Sequence, residues 1–224
     1  MLNLKLRKNI RLSVTADGGA ASGKTTGAKL ISQKYGLNFL SSGLLYRYVG
    51  YKLLSKKNIK NKNSYIKSIT KKITPNILKK KKLFSPKVTQ YAAVIAQSKN
   101  IRNLLKKYQR NFSKQKLVCI EGRDIGNVIC PDADIKFFFK CSLNVKAKRR
   151  FKELKKTNKK ITLTEVKKAL KKRDLIDTKR KISPLRLPLS AYIVDTSKLS
   201  KKQMLDKLSR VIDKKLFNKY GRNY

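Results

Sequence analysis

The sequence predicts an α/β fold of three layers, in which a central parallel sheet of about five strands is flanked by helices on both faces. Short apolar runs with the length of buried strands alternate along the chain with longer stretches whose apolar residues recur at helical spacing. The first apolar run leads through a glycine-rich loop directly into a helix. Strand and helix alternating in this way place successive strands parallel, with helices covering both faces of the sheet.

The first strand, loop and helix are predicted from local signals. Ile10–Ala16 (IRLSVTA) is predicted as a short strand, residues 17–23 as a loop, and Lys24–Tyr35 as a helix. Gly36 follows in the usual C-terminal cap position and ends that helix.

The remaining elements continue the alternation. Further strands are predicted where apolar runs are too short for helices, at Leu37–Leu40, Leu117–Ile120, Asp134–Phe139 and Ala191–Val194. Helices are predicted where apolar residues keep helical spacing, at 44–54, 86–112, 143–156, 162–177 and 200–217.

Two segments depart from the alternation. Residues 55–85 are rich in lysine and interrupted by Pro75, which predicts an exposed insertion with one helix. Residues 153–161 (ELKKTNKKI) predict a mobile connection between two helices.

The composition is strongly basic, with 58 Lys and Arg against 12 Asp and Glu, a net charge of +46 in 224 residues. Such a field attracts any polyanion. The excess is mostly lysine spread over the whole chain, which the composition of an A/T-rich genome would also produce, so the charge alone names no partner. We expect no specific nucleic-acid partner and no membrane partner.

Location and oxidation state are predicted from what the sequence lacks. It has no run of about 18 uncharged apolar residues and opens without the unbroken apolar stretch of a signal peptide, which predicts a cytoplasmic protein. The three cysteines lack C-x-x-C spacing and are odd in number, so we expect reduced thiols.

The clearest motif is G-x-x-x-x-G-K-[ST], formed by Gly18, Gly23, Lys24 and Thr25 between a predicted strand and a predicted helix. In this P-loop the backbone N–H groups turn toward phosphate oxygens, the lysine bridges phosphates, and the threonine hydroxyl ligates Mg²⁺. The predicted ATP-phosphate site comprises Gly18, Gly19, Ala20, Ala21, Ser22, Gly23, Lys24, Thr25 and Thr26. An N-K-x-D sequence, which would read guanine, is absent.

Arginine is distributed differently from lysine. Several arginines stand beside rare acids near predicted loops and helix ends, as in Arg123-Asp124, Arg173-Asp174 and Asp177…Arg180. Arginine presents a planar fork suited to phosphate or carboxylate. Ordinary ion pairs would give the same pattern, so both interpretations stay open on this observation.

The chain resembles the bacterial cytidylate kinases, a family of P-loop nucleoside monophosphate (NMP) kinases. The matching segments are DGGAASGKTTGAKL, LNFLSSGLLYR, VTQYAAVIAQSKNIRNLLKKYQR, VCIEGRDIGNVICPDADIKFFFKCS, KAKRRFKEL, KKRDLIDTKRKISPLRLP and AYIVDTSKLS, which cover most of the chain. The combination of S-G-x-x-Y-R, E-G-R-D-I-G and D-x-x-R-x-x-x-P-L separates this family from adenylate, guanylate and shikimate kinases.

This resemblance implies transfer of phosphate from ATP to CMP and dCMP, with Mg²⁺ as the metal ion. The implied CMP-binding residues are Ser42, Arg47, Arg102, Arg123, Asp124, Arg173, Asp177 and Arg180. Asp124 and Arg102 would read cytosine, while Arg47, Arg123 and Arg180 would hold the 5′-phosphate. The ribose hydroxyls would contact Arg173 and Asp177. The implied catalytic residues are Lys24, Arg123, Arg149, Arg150 and Arg180, with Mg²⁺ on Thr25 and a metal-bound water at Glu121.

The same resemblance implies one P-loop NMP kinase domain over residues 1–224, acting as a monomer. Its core would comprise residues 10–54, 113–148 and 174–217, with a small NMP-binding insertion at 55–112 and a lid at about 149–173. Three departures from the family pattern bear on the site: Gly19 in place of a common proline, Ser41 in place of a usual aspartate, and no small hydroxyl near Ala92-Ala93.

Two other functions remain open from the sequence. One is a kinase of another small acceptor, such as UMP, in the same fold. The other is a basic RNA-associated protein that only retains a nucleotide site, which would bind polynucleotide with a strong salt dependence and transfer no phosphate.

Overall fold

The computed structural model describes residues 6–56, 58–156 and 159–221, in which five strands form one parallel sheet. The strands are β1 (Leu12–Gly18), β2 (Asn38–Ser41), β3 (Leu117–Gly122), β4 (Ile135–Lys140) and β5 (Tyr192–Asp195). Their spatial order is β2-β3-β1-β4-β5, so β1 is central and pairs with β3 on one side and β4 on the other. The predicted three-layer α/β fold is confirmed.

Nine α-helices surround this sheet in the described ranges. They are α1 (Lys24–Tyr35), α2 (Ser42–Ser55), α3 (Lys62–Lys71), α4 (Pro75–Leu78), α5 (Pro86–Ile95), α6 (Lys99–Ser113), α7 (Leu143–Lys155), α8 (Leu163–Lys179) and α9 (Lys201–Tyr220). Side-chain caps explain where many of them begin: Ser142 caps α7, and Thr162 and Ser200 form capping boxes at α8 and α9. None of the helices in this part of the chain is long and apolar enough to cross a membrane.

The sheet is buried between two hydrophobic clusters. Helices α1 and α9 pack on one face, where Ile31 and Leu208 meet Phe137 and Phe139 of β4. Helices α2, α5 and α6 cover the other face, where Leu45 and Ile120 belong to the largest cluster. Helices α7 and α8 pack on each other and form a third, small cluster that includes Ala20 of the glycine-rich loop.

The prediction of one helix in residues 55–85 is wrong. This segment contains two helices, α3 and α4, and a 3₁₀ turn at Lys81–Phe84. Most of its described residues are exposed, as predicted, but Ile66, Ile69, Leu78 and Leu83 are buried in the largest cluster and attach the segment to the core. The high lysine content suggested an exposed segment, but the apolar residues between the lysines recur at helical spacing.

Two other boundaries differ from the predictions. The stretch 86–112 forms two helices, because Ser98 caps a new helix at Lys99. Helix α7 extends to Lys155, within the predicted connection at 153–161, and residues 157 and 158 lie outside the described residues. The mobility of that connection stays a prediction.

Candidate active site

A cavity of about 790 Å³ lies at the carboxyl ends of β1, β2 and β3. In open parallel sheets this edge is the usual place for a ligand. Of all the site residues predicted from the sequence, only Gly18 and Gly19 do not line this cavity. The fold therefore brings together in one concavity residues that lie up to about 160 positions apart in the chain.

The phosphate loop is built by its backbone conformation. Gly18 has φ 153°, and a Cβ at this position would lie 2.4 Å from the carbonyl oxygen of Phe139. Gly23 has φ 86° and caps α1, while Ala21 also has a positive φ of 55°. Only glycine adopts the first two conformations freely. The loop thus ends at the N-terminus of α1, where backbone N–H groups and the helix dipole favour a phosphate group.

Lys24 begins α1 and is almost fully buried. Its Nζ donates to the carbonyl oxygen of Gly19 at 3.0 Å and lies 4.0 Å from Oε2 of Glu121. Burial, with a further contribution from the Arg123 guanidinium, lowers the pKa of Lys24 to about 7. A phosphate group bound here would favour the charged form of the lysine.

Glu121 offers an oxygen for a metal-bound water. The Ser41 hydroxyl donates to its Oε1, whereas its buried Oε2 has no hydrogen-bond partner among the described residues. The Thr25 side chain is exposed in the first turn of α1. Mg²⁺ is held mainly by phosphates, water and one or two protein groups, and the Thr25 hydroxyl and the Oε2 of Glu121, unpartnered in the described ranges, are oxygens of that kind. The residues present therefore fit a magnesium ion.

The same cavity is lined by a cluster of guanidinium groups, formed by Arg47, Arg123, Arg150 and Arg173. Burial, and then the charge of Arg123, lowers the pKa of Arg173 to about 10. Burial, and then the charge of Arg150, lowers the pKa of Arg47. The Nε of Arg173 is buried with no partner among the described residues. Like charges gathered in this way, with a donor left over, fit an anionic ligand.

One carboxylate, that of Asp177, fixes part of this cluster. Asp177 on α8 accepts from Nε of Arg123 at 2.8 Å and lies 3.6 Å from Arg180. Burial opposes ionisation of Asp177, but the charge of Arg123 and its hydrogen bond keep the pKa of this carboxyl below its ordinary value. Arg123 is therefore held by its Nε, with one terminal nitrogen donating to the Gly122 carbonyl.

Asp124 also lines the cavity and lies between Arg102 and Arg180. Its carboxylate forms ion pairs with both guanidinium groups, that with Arg180 at 3.3 Å. Arg102 also donates to the Ala96 carbonyl at 3.2 Å and lies over the ring of Tyr46, with 5.6 Å between guanidinium and ring centre. These two ion pairs leave the buried Asp124 carboxylate little freedom, so it presents a defined acceptor to a ligand.

Other residues singled out from the sequence lie on α5 and at the start of α2. Ala92 and Ala93 of α5 line the cavity and offer no hydroxyl, and Ser42 is buried at the start of α2. Their role toward a ligand stays a prediction.

The two arginines predicted for the lid point to different partners. Arg149 donates to the backbone oxygen of Thr196 at 2.7 Å and to its hydroxyl at 2.9 Å, and this hydroxyl in turn donates to the Ser22 carbonyl. Arg149 is thus connected to the phosphate loop through Thr196, and it also lines the cavity. Arg150 pairs with Glu153 at 2.8 Å and lines the cavity.

Sequence reasoning missed one contact between α8 and the phosphate loop. Oδ1 of Asp174 accepts from the backbone N–H of Ala20 at 2.8 Å, and its other oxygen pairs with Lys146 of α7. The signal was present, because Asp174 is one of only 12 acids and stands beside Arg173. Its partner is a backbone amide, which no motif identifies.

The sequence profile of the family "Cytidylate kinase" matches residues 14–214 of this chain. A cytidylate kinase of Thermosipho melanesiensis is 35% identical over 211 residues, which cover 90% of this chain and 97% of that protein. One from Clostridium botulinum is 36% identical over 219 residues, covering 91% and 98%. An uncharacterised protein from Eubacterium ventriosum shares the fold, with a TM-score of 0.55 at 14% identity over 91% of this chain and 99% of its own. Since the profile and the relatives span nearly the whole chain, the protein belongs to the cytidylate kinase family.

Proposed function

We propose that the protein transfers the γ-phosphoryl group of ATP to CMP and dCMP, giving ADP with CDP or dCDP. The observation that carries this proposal is one cavity lined by the phosphate loop, by the arginine cluster and by Asp124 with its two arginine partners. Phosphoryl transfer needs the two substrates in line, with their phosphates between such groups.

On the donor side, amides of residues 18–26 other than that of Ala20, which donates to Asp174, would hold the β- and γ-phosphates of ATP, and Lys24 would bridge them. Lys24 is buried with Glu121 at 4.0 Å as its nearest carboxylate, and a triphosphate would add a second, more highly charged anionic partner. The Mg²⁺ ion that the family implies would neutralise charge on the transferring group, with Thr25 and a water at Glu121 as its protein contacts.

On the acceptor side, the 5′-phosphate of CMP would lie against Arg47 and Arg123. One of its oxygens attacks the γ-phosphorus, a new P–O bond forms, and the bond from that phosphorus to the β–γ bridging oxygen breaks, so ADP leaves with the electron pair. The acceptor is already an oxyanion, so no general base is required. The free Nε of Arg173 and the fork of Arg123 would stabilise the transferring charge.

Base selection would come from the Asp124 end. Cytosine shows a donor at N4, which a carboxylate accepts, while uracil shows an acceptor there and would face Asp124 with no hydrogen bond. The fixed position of Asp124 between Arg102 and Arg180 supports this role. The direct contact of Arg180 with phosphate stays a prediction, because its nitrogens already meet Asp124, Asp177 and Ser183.

We propose the same division of the chain as the sequence predicts, with residues 55–112 as the CMP-binding part and about 149–173 as the lid. Support comes from α7 and α8, which form a small hydrophobic cluster of their own against Ala20. Closure of such a lid would exclude water and so prevent hydrolysis of ATP before CMP binds.

A coupled assay of ADP release tests the proposal. With ATP and Mg²⁺, CMP and dCMP are expected to be turned over, while UMP and AMP are expected to give at most about a hundredth of the kcat/KM for CMP. Turnover of UMP at the rate of CMP would contradict the assignment of Asp124.

A further inference from the structure

We infer that Asp17 is a positioning residue for base selection, which holds the segment after Asp124 through two backbone amides. This inference rests on the proposed function of Asp124. Asp17 is the last residue before Gly18, so it also ties this segment to the start of the phosphate loop.

The geometry is a carboxylate shared by two successive N–H groups. Oδ1 of Asp17 accepts from the N–H of Ile125 at 2.9 Å, and Oδ2 accepts from the N–H of Gly126 at 2.7 Å. These amides begin the π-helical turn Ile125–Ile129, whose first N–H groups have no partner within the turn. Asp17 therefore supplies the hydrogen bonds that fix how the chain leaves Asp124.

Burial and neighbouring hydrogen bonds restrict the conformations of Asp17 and of the turn that follows Asp124. Asp17 is 0% exposed, and strand pairing places it opposite Gly122, two residues before Asp124. The Asp124 backbone oxygen accepts from Val128 at 2.9 Å, so the turn folds back on the same residue. The strand fixes Asp124 from one side and the Asp17 carboxylate fixes it from the other.

Burial makes the charged form of the Asp17 carboxyl energetically unfavourable. Burial raises the pKa of the Asp17 carboxyl to about 7, although both amides and Lys24 act in the opposite direction. An asparagine would avoid the burial of a charge but has a single oxygen, and its NH₂ group would face one of the two N–H donors. Two acceptors in this position are what the turn requires, and only a carboxylate of this length provides them.

The test compares Asp17→Asn with the wild-type protein and with Thr15→Val as a matched control. Thr15 lies two residues earlier on the same side of β1, is equally buried, and its hydroxyl has no partner among the described residues. Valine has nearly the shape of threonine, so this replacement removes the hydroxyl beside Gly126 and is expected to leave both Asp17 hydrogen bonds in place. The readout is the ratio of kcat/KM for CMP to that for UMP at saturating ATP, with thermal unfolding recorded for each protein.

We expect Asp17→Asn to lower this ratio at least about tenfold and Thr15→Val to leave it within about twofold. A purely structural role of Asp17 would lower the melting temperature and the total activity without changing the ratio. An unchanged ratio in folded Asp17→Asn, or an equal drop in both variants, would overturn the inference.

Amide hydrogen exchange of the wild-type protein keeps the inference testable if Asp17→Asn does not fold. The N–H groups of Ile125 and Gly126 are expected to exchange as slowly as those of β1, and exchange at the rate of exposed loop amides would overturn it. Failure of the proposed function looks different: a wild-type protein that turns over CMP and UMP equally would refute the role of Asp124 itself, whatever Asp17 does.

Discussion

Lys24 provides a quantitative prediction, because burial and the Arg123 guanidinium lower its pKa from the ordinary 10.5 to about 7 in the site without nucleotide. A bound triphosphate places negative charge beside the ammonium group and should return the pKa toward its ordinary value. With these two values, nucleotide binding takes up about 0.9 proton near pH 8 and only about 0.1 proton near pH 6. The affinity for nucleotide should correspondingly weaken about tenfold between these pH values.

Isothermal titration calorimetry measures this uptake. A non-hydrolysable ATP analogue is titrated in two buffers that differ in ionisation enthalpy, near pH 6 and near pH 8. The matched control is Lys24→Met, which keeps the length of the side chain and removes the titrating group, so it corrects for protons bound by the nucleotide itself. Equal proton uptake by the wild-type protein and the variant at both pH values would refute the reasoning, because it would mean that Lys24 is fully charged before binding.

Three further substitutions test separate parts of the site. Asp124→Asn should reduce the preference for CMP over UMP by about 10- to 100-fold in kcat/KM, since its NH₂ group can donate to the oxygen at position 4 of uracil; unchanged selectivity would contradict it. Arg123→Lys should raise the KM for CMP at least about tenfold because a lysine keeps the charge but loses the planar fork, and wild-type kinetics would argue against phosphate contact there. Asp174→Ala should raise the KM for ATP several-fold, measured at saturating CMP, because the Ala20 amide and Lys146 lose their partner. The control Asp134→Ala also removes a lysine pair, with Lys219, together with hydrogen bonds from Ser13 at the amino end of β1, and should leave this KM unchanged.

Local patterns predicted much of the fold and of the lining of the cavity. The phosphate loop was identifiable because its glycines, lysine and threonine keep a fixed spacing within residues 18–25 and follow a strand. The neighbours Arg123-Asp124 and Arg173-Asp174 stood out because acids are rare in this chain, whereas Arg47, Arg102, Arg149 and Arg150 followed only from the family resemblance. What these arginines bind stays a prediction.

Contacts that join distant segments through the backbone could not be predicted. Nothing in the sequence links Asp17 to the amides of residues 125 and 126, or Asp174 to that of Ala20. No sequence pattern links Ser41 to Glu121. The parallel pairing of β2 with β3 places them side by side, so the Ser41 hydroxyl donates to the Glu121 carboxylate. In 55–85 the lysine content outweighed a helical pattern that packing reveals.

The central claim is that one cavity presents a cytidine monophosphate to the phosphate loop for direct transfer. Its most direct test is ADP release by the purified protein with ATP and Mg²⁺, measured in parallel with CMP, dCMP, UMP and AMP. The account predicts rapid release with CMP and dCMP, little with UMP and AMP, and loss of turnover in Lys24→Ala with CMP binding retained. Release that does not depend on the monophosphate supplied, or that persists in Lys24→Ala, would contradict it.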